Sequence, residues 1–161
     1  RRLGSGSFGT VKAAVHSASG LPCAVKFIRK DIVGDRYLEN FVDQDMHTFL
    51  LKMAHHEPHP NVVRQLDYLM GPKVIYNTMD LLEGPDLYTY LEDNAPITRG
   101  FARYTMQHIF AALRHIHHVS GTGLIHRDVK LENLKFRTCE PDSDLVLLDF
   151  GLSCQARPDT S

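Results

Sequence analysis

The sequence predicts an α+β fold, with an antiparallel β-rich part holding one helix, followed by a mainly α-helical part. Strand-like runs fill the first half. Val11–His16 and Leu21–Ile28 flank the turn Ser17-Ala18-Ser19-Gly20, the pattern of a β-hairpin, and residues 63–70 and 73–82 read as two more strands. The second half carries a helical period instead. From Thr98 to about Val119 the residues Phe101, Tyr104, Thr105, Ile109, Ala112, Leu113 and Ile116 recur at spacings of three and four, one face of a long amphipathic helix.

The other elements follow from local signals. Between hairpin and later strands, apolar residues at 38, 41, 42, 46, 49, 50 and 53 define one helix over Tyr37–Met53. Pro60 argues against helix beyond His59, because the residue before a proline is pushed out of the α region. The cluster His55-His56-Glu57-Pro58-His59 looks metal-like. Its prolines break the i, i+4 face a helical zinc site needs, so a solvated loop is expected there, and no metal at His115, His117 or His118. Thr98 is the expected N-cap of the long helix, and Gly121 and Gly123 its stop.

Composition narrows the function classes. The chain has 161 residues, 43% hydrophobic and 23% charged, with 18 basic against 19 acidic side chains. A balance of −1 supplies no field for nucleic acid or a membrane surface, and neither is expected as a partner. Cys23, Cys139 and Cys154 form no CxxC pair, which argues against a disulfide framework. No apolar run reaches the roughly 18 residues of a membrane span. The start, Arg1-Arg2-Leu3-Gly4, has no signal-peptide pattern. A cytoplasmic, reducing location is expected, without excluding the nucleus.

The chemistry concentrates between His126 and Gly151. His126-Arg127-Asp128-Val129-Lys130-Leu131-Glu132-Asn133 is followed by the apolar run Leu145–Leu148 and by Asp149-Phe150-Gly151. Asp128 can accept a proton, Lys130 can neutralise a phosphate, and Asn133 and Asp149 can hold a hard cation through oxygen. That inventory suits phosphoryl transfer, which is mostly positioning and charge stabilisation. At the other end, Gly4-Ser5-Gly6-Ser7-Phe8-Gly9-Thr10-Val11 is a G-x-G-x-x-G-x-V string that leads into a strand. A dinucleotide fingerprint would instead open a helix.

These motifs, in this order, resemble the glycine-rich loop, catalytic loop and D-F-G segment of eukaryotic protein kinases. The resemblance implies a bilobal kinase-like fold with an N-lobe over 1–79, a hinge over 80–85 and a partial C-lobe over 86–161. It implies ATP and Mg²⁺ as cofactors. Gly4, Gly6 and Gly9 would close over the phosphates, and Lys26 of Ala24-Val25-Lys26 would bind them. A helix carboxylate would pair with Lys26; Asp45 is preferred to Asp43 and Glu39, because its +4 neighbour is the apolar Phe49. An aspartate stands there where the family has glutamate. Met79 would be the gatekeeper, the main chain of Asp80 and Leu82 would bond adenine, and Val11, Ala24 and Leu134 would sandwich it. Asp86 would face the ribose, although a plain helix N-terminal acid reads the same way.

Asp128 would orient the substrate hydroxyl and take its proton, with Lys130 supporting the γ-phosphate as in serine/threonine kinases. Asn133 and Asp149 would ligate Mg²⁺. Arg127 suggests control by phosphorylation, with Thr160 and Ser161 as candidate sites. Phe27-Ile28-Arg29-Lys30, Asn133–Phe136 and Asp149–Ser153 resemble the calcium/calmodulin-dependent and calcium-dependent kinases. Asp86 and Glu132 imply protein substrates with basic residues upstream of the phosphorylated Ser or Thr. The sequence ends ten residues after Gly151, inside the expected activation loop, so little turnover is expected from these 161 residues alone. The alternatives are an ATP-binding pseudokinase or scaffold, suggested by Asp45, and an ATP-binding module of another fold.

Overall fold

The computed structural model describes residues 1–6, 9–39 and 45–156, apart from the side chains of Ser5, Gly6, Arg36 and Ser120. The chain forms two compact units, Arg1–His56 with Arg64–Leu81, and Glu57–Val63 with Leu82–Ser161.

The first unit is built on β1 (Arg2–Gly6), β2 (Gly9–Val15) and β3 (Pro22–Arg29), then α1 (Lys30–Val33), α2 (Asp35–Leu38), α3 (Met46–His56), β4 (Gln65–Met70) and β5 (Val74–Asp80). The strands make one sheet of order β1-β2-β3-β5-β4, and every neighbouring pair is antiparallel. The expected hairpin closes at Ser17–Gly20, where Gly20 N–H bonds the His16 carbonyl at 2.8 Å and His16 N–H bonds Leu21 at 2.8 Å. Ile28, Met46, Leu50, Met53 and Ile75 are at most 2% exposed and form the core. Each such burial contributes about 1.5–3 kcal/mol against a large entropy cost.

The single helix expected over 37–53 is divided. Apolar periodicity gave the buried residues Met46, Leu50 and Met53 of α3 but missed the break, and Phe41 and Val42 lie outside the described residues. Asp45 has φ 56, a left-handed conformation through which a helix of L-residues does not run. Its carbonyl instead accepts Phe49 N–H at 3.2 Å, the first bond of α3, and its carboxylate accepts the Thr48 hydroxyl at 2.9 Å. Asp43 lies outside the described residues, as do Ser7 and Phe8 of the glycine-rich string.

The second unit carries α4 (Leu87–Asp93), α5 (Arg99–His118), β6 (Leu124–Ile125), β7 (Leu134–Phe136), β8 (Leu145–Leu147) and β9 (Cys154–Gln155). Thr98 Oγ1 accepts Phe101 N–H at 3.1 Å, the expected cap of α5. Two small antiparallel ladders, β6 with β9 and β7 with β8, hold the loops that follow the helix. Glu57–Val63 joins this unit because Asn61 donates to the Leu145 carbonyl and bonds His108, each at 2.9 Å, while Val63 N–H bonds Leu147 at 3.0 Å.

Gly9 shows where the hairpin demands glycine. It has φ +154, and a Cβ built there would sit 1.7 Å from the Phe27 carbonyl oxygen. Nothing lies within 4 Å of a Cβ at Gly4. Gly9→Ala is therefore expected to lose at least about 1–3 kcal/mol of stability, while Gly4→Ala stays within about 0.5–1 kcal/mol. Denaturant unfolding of both variants checks this, and equal midpoints would refute the β2–β3 packing.

Candidate active site

In the first unit the sheet register gathers the sequence-selected residues. Lys26 lies opposite Val11 on β2 and Asn77 on β5, and Ala24 lies opposite Ala13 and Met79. Directly opposed residues share a face, as do residues two apart on one strand. Val11, Ala24, Lys26 and Met79 therefore occupy one face of the sheet, with Gly9, opposite Ile28, on the same face. Lys26 is 8% exposed. Asp45 stands apart from this row in its hydrogen bonding: its side chain is 69% exposed, bonded to Thr48 and 3.4 Å from His47 Nε2. Asp80 ends β5. Its carboxylate receives Arg64 Nε at 3.2 Å and a terminal guanidinium nitrogen at 3.0 Å, and its N–H bonds the Arg64 carbonyl at 3.1 Å. The side chain of Asp80 is thus engaged within the sheet.

The second unit brings Asp128, Lys130 and Asn133 together. Asp128 Oδ2 receives Lys130 Nζ at 3.0 Å and Asn133 Nδ2 at 2.9 Å. Asn133 Nδ2 also donates to the Asp128 carbonyl at 2.8 Å, which closes the loop between them. Both amide hydrogens are thereby used, so the Asn133 oxygen is the atom left to serve a hard cation. The hydrogen bond from Lys130 to Asp128 raises the lysine pKa, against an opposing contribution from burial.

The preceding histidine ties this loop to Asp149. His126 is 2% exposed and its ring meets Phe150 edge-on at 4.9 Å. Nδ1 accepts the Asp128 N–H at 3.2 Å, so the neutral ring carries its proton on Nε2, which donates to the Leu148 carbonyl at 2.8 Å. Leu148 N–H in turn bonds the Asn133 carbonyl at 2.8 Å. Asp149 follows with φ 60, its carboxylate accepting Gly151 N–H at 3.3 Å. Arg127, φ 66, donates Nε to the Leu152 carbonyl and a terminal nitrogen to that of Ser153 at 3.4 Å. Its guanidinium is engaged by main chain, and Thr160 and Ser161 lie outside the described residues.

Around the expected ribose residue the picture is tighter. Asp86 caps α4, accepting Thr89 N–H at 2.9 Å and Thr89 Oγ1–H at 3.2 Å. It is also bridged, antiparallel, to Lys135. Leu134 is 3% exposed and points inward like Phe136, whose ring packs on Tyr90 at 5.1 Å. Lys135, between them, takes the opposite face and donates to the Gly84 carbonyl. Burial lowers its pKa while Asp86 acts against that shift. The sequence reading overlooked Lys135, although the alternation Leu-Lys-Phe on a short strand was available to it. Among the described residues no group of three or more His, Cys, Asp and Glu is placed to hold a metal, and His59 instead stacks on His115 at 4.7 Å.

His126 makes a testable link to pH. Burial, the largest influence, holds its pKa below the usual histidine range; the bond to Leu148 and the charges of Asp149 and Asp128 pull upward. The unfolded chain then binds more protons below about pH 6.5, so His126 lowers stability as pH falls through that value. His59, lowered by burial and by His115, has the same sign. The His126 ring protons in an NMR titration are expected to move with a midpoint below about 6.5, and a midpoint at or above it would contradict the buried neutral ring.

The comparisons with known proteins agree with this arrangement. A family model described as "Protein kinase domain" matches residues 1–161. The chain is 31% identical over 153 residues to the calcium/calmodulin-dependent protein kinase type I of Schizosaccharomyces pombe, covering 95% of this chain and 43% of that protein. It is 30% identical over 158 residues to the serine/threonine-protein kinase ATG1c of Arabidopsis thaliana, covering 98% of this chain and 20% of that one. A calcium/calmodulin-dependent protein kinase of Metarhizium anisopliae is 31% identical, with 37% of its length covered. The chain thus spans well under half the length of these relatives. With the family model matching from first residue to last, the chain belongs to the protein kinase domain family.

Proposed function

We propose that the chain is the catalytic part of an ATP-dependent serine/threonine protein kinase. The observation that carries this reading is the Asp128 carboxylate, fixed by Lys130 at 3.0 Å and Asn133 at 2.9 Å. A base held in that way can orient a Ser or Thr hydroxyl and accept its proton as the oxygen attacks the γ-phosphorus. Lys130 offsets the charge that develops on the phosphoryl oxygens as the bond to ADP breaks. Asn133 and Asp149 supply oxygen to Mg²⁺, a cation that typically takes one or two protein ligands beside the substrate phosphates. When bound, that ion neutralises phosphate charge.

The remaining assignments complete the reading. Gly4, Gly6, Gly9 and Lys26 hold the phosphates. Val11, Ala24, Met79 and the main chain of Asp80 and Leu82 receive the base, and Asp86 the ribose. Residues 1–79 and 86–161 act as two lobes joined by 80–85. Asp86 and Glu132 favour basic residues upstream of the phosphorylated position, within an intracellular protein substrate. A second reading, a nucleotide-binding pseudokinase or scaffold, is favoured by Asp45, whose carboxylate bonds the Thr48 hydroxyl.

Asp128→Asn separates the two readings. It is expected to lower kcat by about 10²–10⁴-fold and leave ATP–Mg²⁺ binding, followed by thermal shift, in place. Turnover unaffected by the substitution sinks the kinase reading, and binding with no turnover in either form supports the scaffold.

A further inference from the structure

Residues 57–63 follow α3 in the chain yet belong to the second unit, and two histidines tie them into it. His108, on α5, does so through one atom. Its Nδ1 accepts the Leu145 N–H at 3.0 Å and an Asn61 Nδ2–H at 2.9 Å. The network itself orients the amide, because Asn61 Nδ2 also donates to the Leu145 carbonyl at 2.9 Å. Both partners of Nδ1 are therefore donors, and the proton of the neutral ring sits on Nε2. A proton added at Nδ1 would face two N–H groups and break both bonds.

His59, inside the segment, repeats the constraint by another route. Its Nδ1 accepts the Asn61 N–H at 3.1 Å, and its ring stacks on His115 of α5 at 4.7 Å, 24° from parallel. Two neutral imidazoles can stack in this way; two imidazolium rings so close repel. His115 Nε2 is buried without a hydrogen-bond partner among the described residues, so a charge on that ring would also go unpaired. Arg114 and His118 line the same cleft of about 570 Å³, with Glu57 supplying the opposite sign. From the β8 side come Asp144, whose carboxylate lies 3.9 Å from His108 Nδ1, and Arg137, which bonds the Pro60 carbonyl at 2.8 Å. Tyr104 covers the His108 ring at 4.3 Å; burial, Asp144 and Asp142 raise its pKa, which keeps the phenol neutral.

We propose that His59 and His108 form an acid-sensitive latch, which closes residues 57–63 and the head of β8 onto α5 while both rings are neutral and opens as they take up protons. A protonated His108 turns from accepting the Asn61 and Leu145 donors to donating to Asp144. Burial, and then His115, hold the His59 pKa below the usual histidine range, with Asp144 pulling the other way. A released His59 takes its proton at about pH 6.5 and a latched one only at lower pH. Closure therefore weakens as pH falls through about 6.5. The segment and β8 are joined by Val63 N–H to the Leu147 carbonyl at 3.0 Å and Leu147 N–H to the Asn61 carbonyl at 2.8 Å. Opening thus loosens the strand that runs into Leu148 and Asp149, by a route separate from His126.

Amide hydrogen exchange of the unmodified chain, resolved by NMR at about pH 7.5 and about pH 5.5, tests the latch. Protection factors, corrected for the intrinsic pH dependence of exchange, are expected to fall about tenfold at Leu145, Leu147 and Val63 on acidification. Ala112 and Ile116 of α5, 1% and 0% exposed, are expected to keep theirs. Equal loss at every one of these amides is general unfolding and overturns the latch, as does unchanged protection at Leu145. His59→Asn combined with His108→Asn puts an amide oxygen in place of each Nδ1 and cannot take the charge. In that variant Leu145 is expected to be equally protected at both pH values, and an undiminished pH response refutes the proposal. Should the variant not fold, the wild-type titration decides. The Asn61 side-chain amide protons are expected to shift with the midpoint of the His108 ring, and a titrating His108 that leaves them in place is the contrary result.

Discussion

The main chain of one residue, Leu148, ties together the candidate site of the second unit. The N–H of Leu148 bonds the Asn133 carbonyl and its carbonyl receives the proton of His126 Nε2. His126 in turn accepts the N–H of Asp128. The loop bearing Asp128 and the segment bearing Asp149 are thus referenced to the main chain of the same residue. Were this bond pair absent, Asp128, Asn133 and Asp149 would be held by separate loops, and loops are the least precise places to hold a site. The contact is also dry: His126 is 2% exposed, and in such surroundings a made hydrogen bond is worth more and an unmade one costs more.

The glycines and the lysine of the first unit obey a different constraint. There, precision comes from register rather than from a buried polar bridge. A slip of one residue between β2 and β3 would carry Val11 to the opposite face from Lys26, since side chains alternate. The Phe27 carbonyl, which leaves no room for a side chain at Gly9, makes that register hard to lose.

Local features were legible in the sequence and nonlocal ones were not. The hairpin turn, the Thr98 cap and the strand runs each depend on a few adjacent residues, and the residue types of the candidate site follow from the chemistry they must perform. The break before α3 was hidden because apolar spacing says which face is buried, not whether the backbone stays right-handed at Asp45. The membership of Glu57–Val63 in the second unit depends on bonds from Asn61 to residues 47 and 84 positions away, which no window contains. Lys135 was missed for a related reason: alternation was visible, but which face looks inward is decided by Tyr90 and Phe101 packing around Phe136.

Two residues beside the buried histidine bridge, Arg127 and Asp149, hold left-handed backbone angles of 66° and 60°. Each conformation costs of order 1–3 kcal/mol for a residue with a Cβ, and glycine would relieve most of it. A laboratory selection for heat resistance alone would therefore tend to convert these positions to glycine. It would produce a sturdier chain that had discarded the carboxylate of Asp149. Durability and chemistry compete for the same two residues.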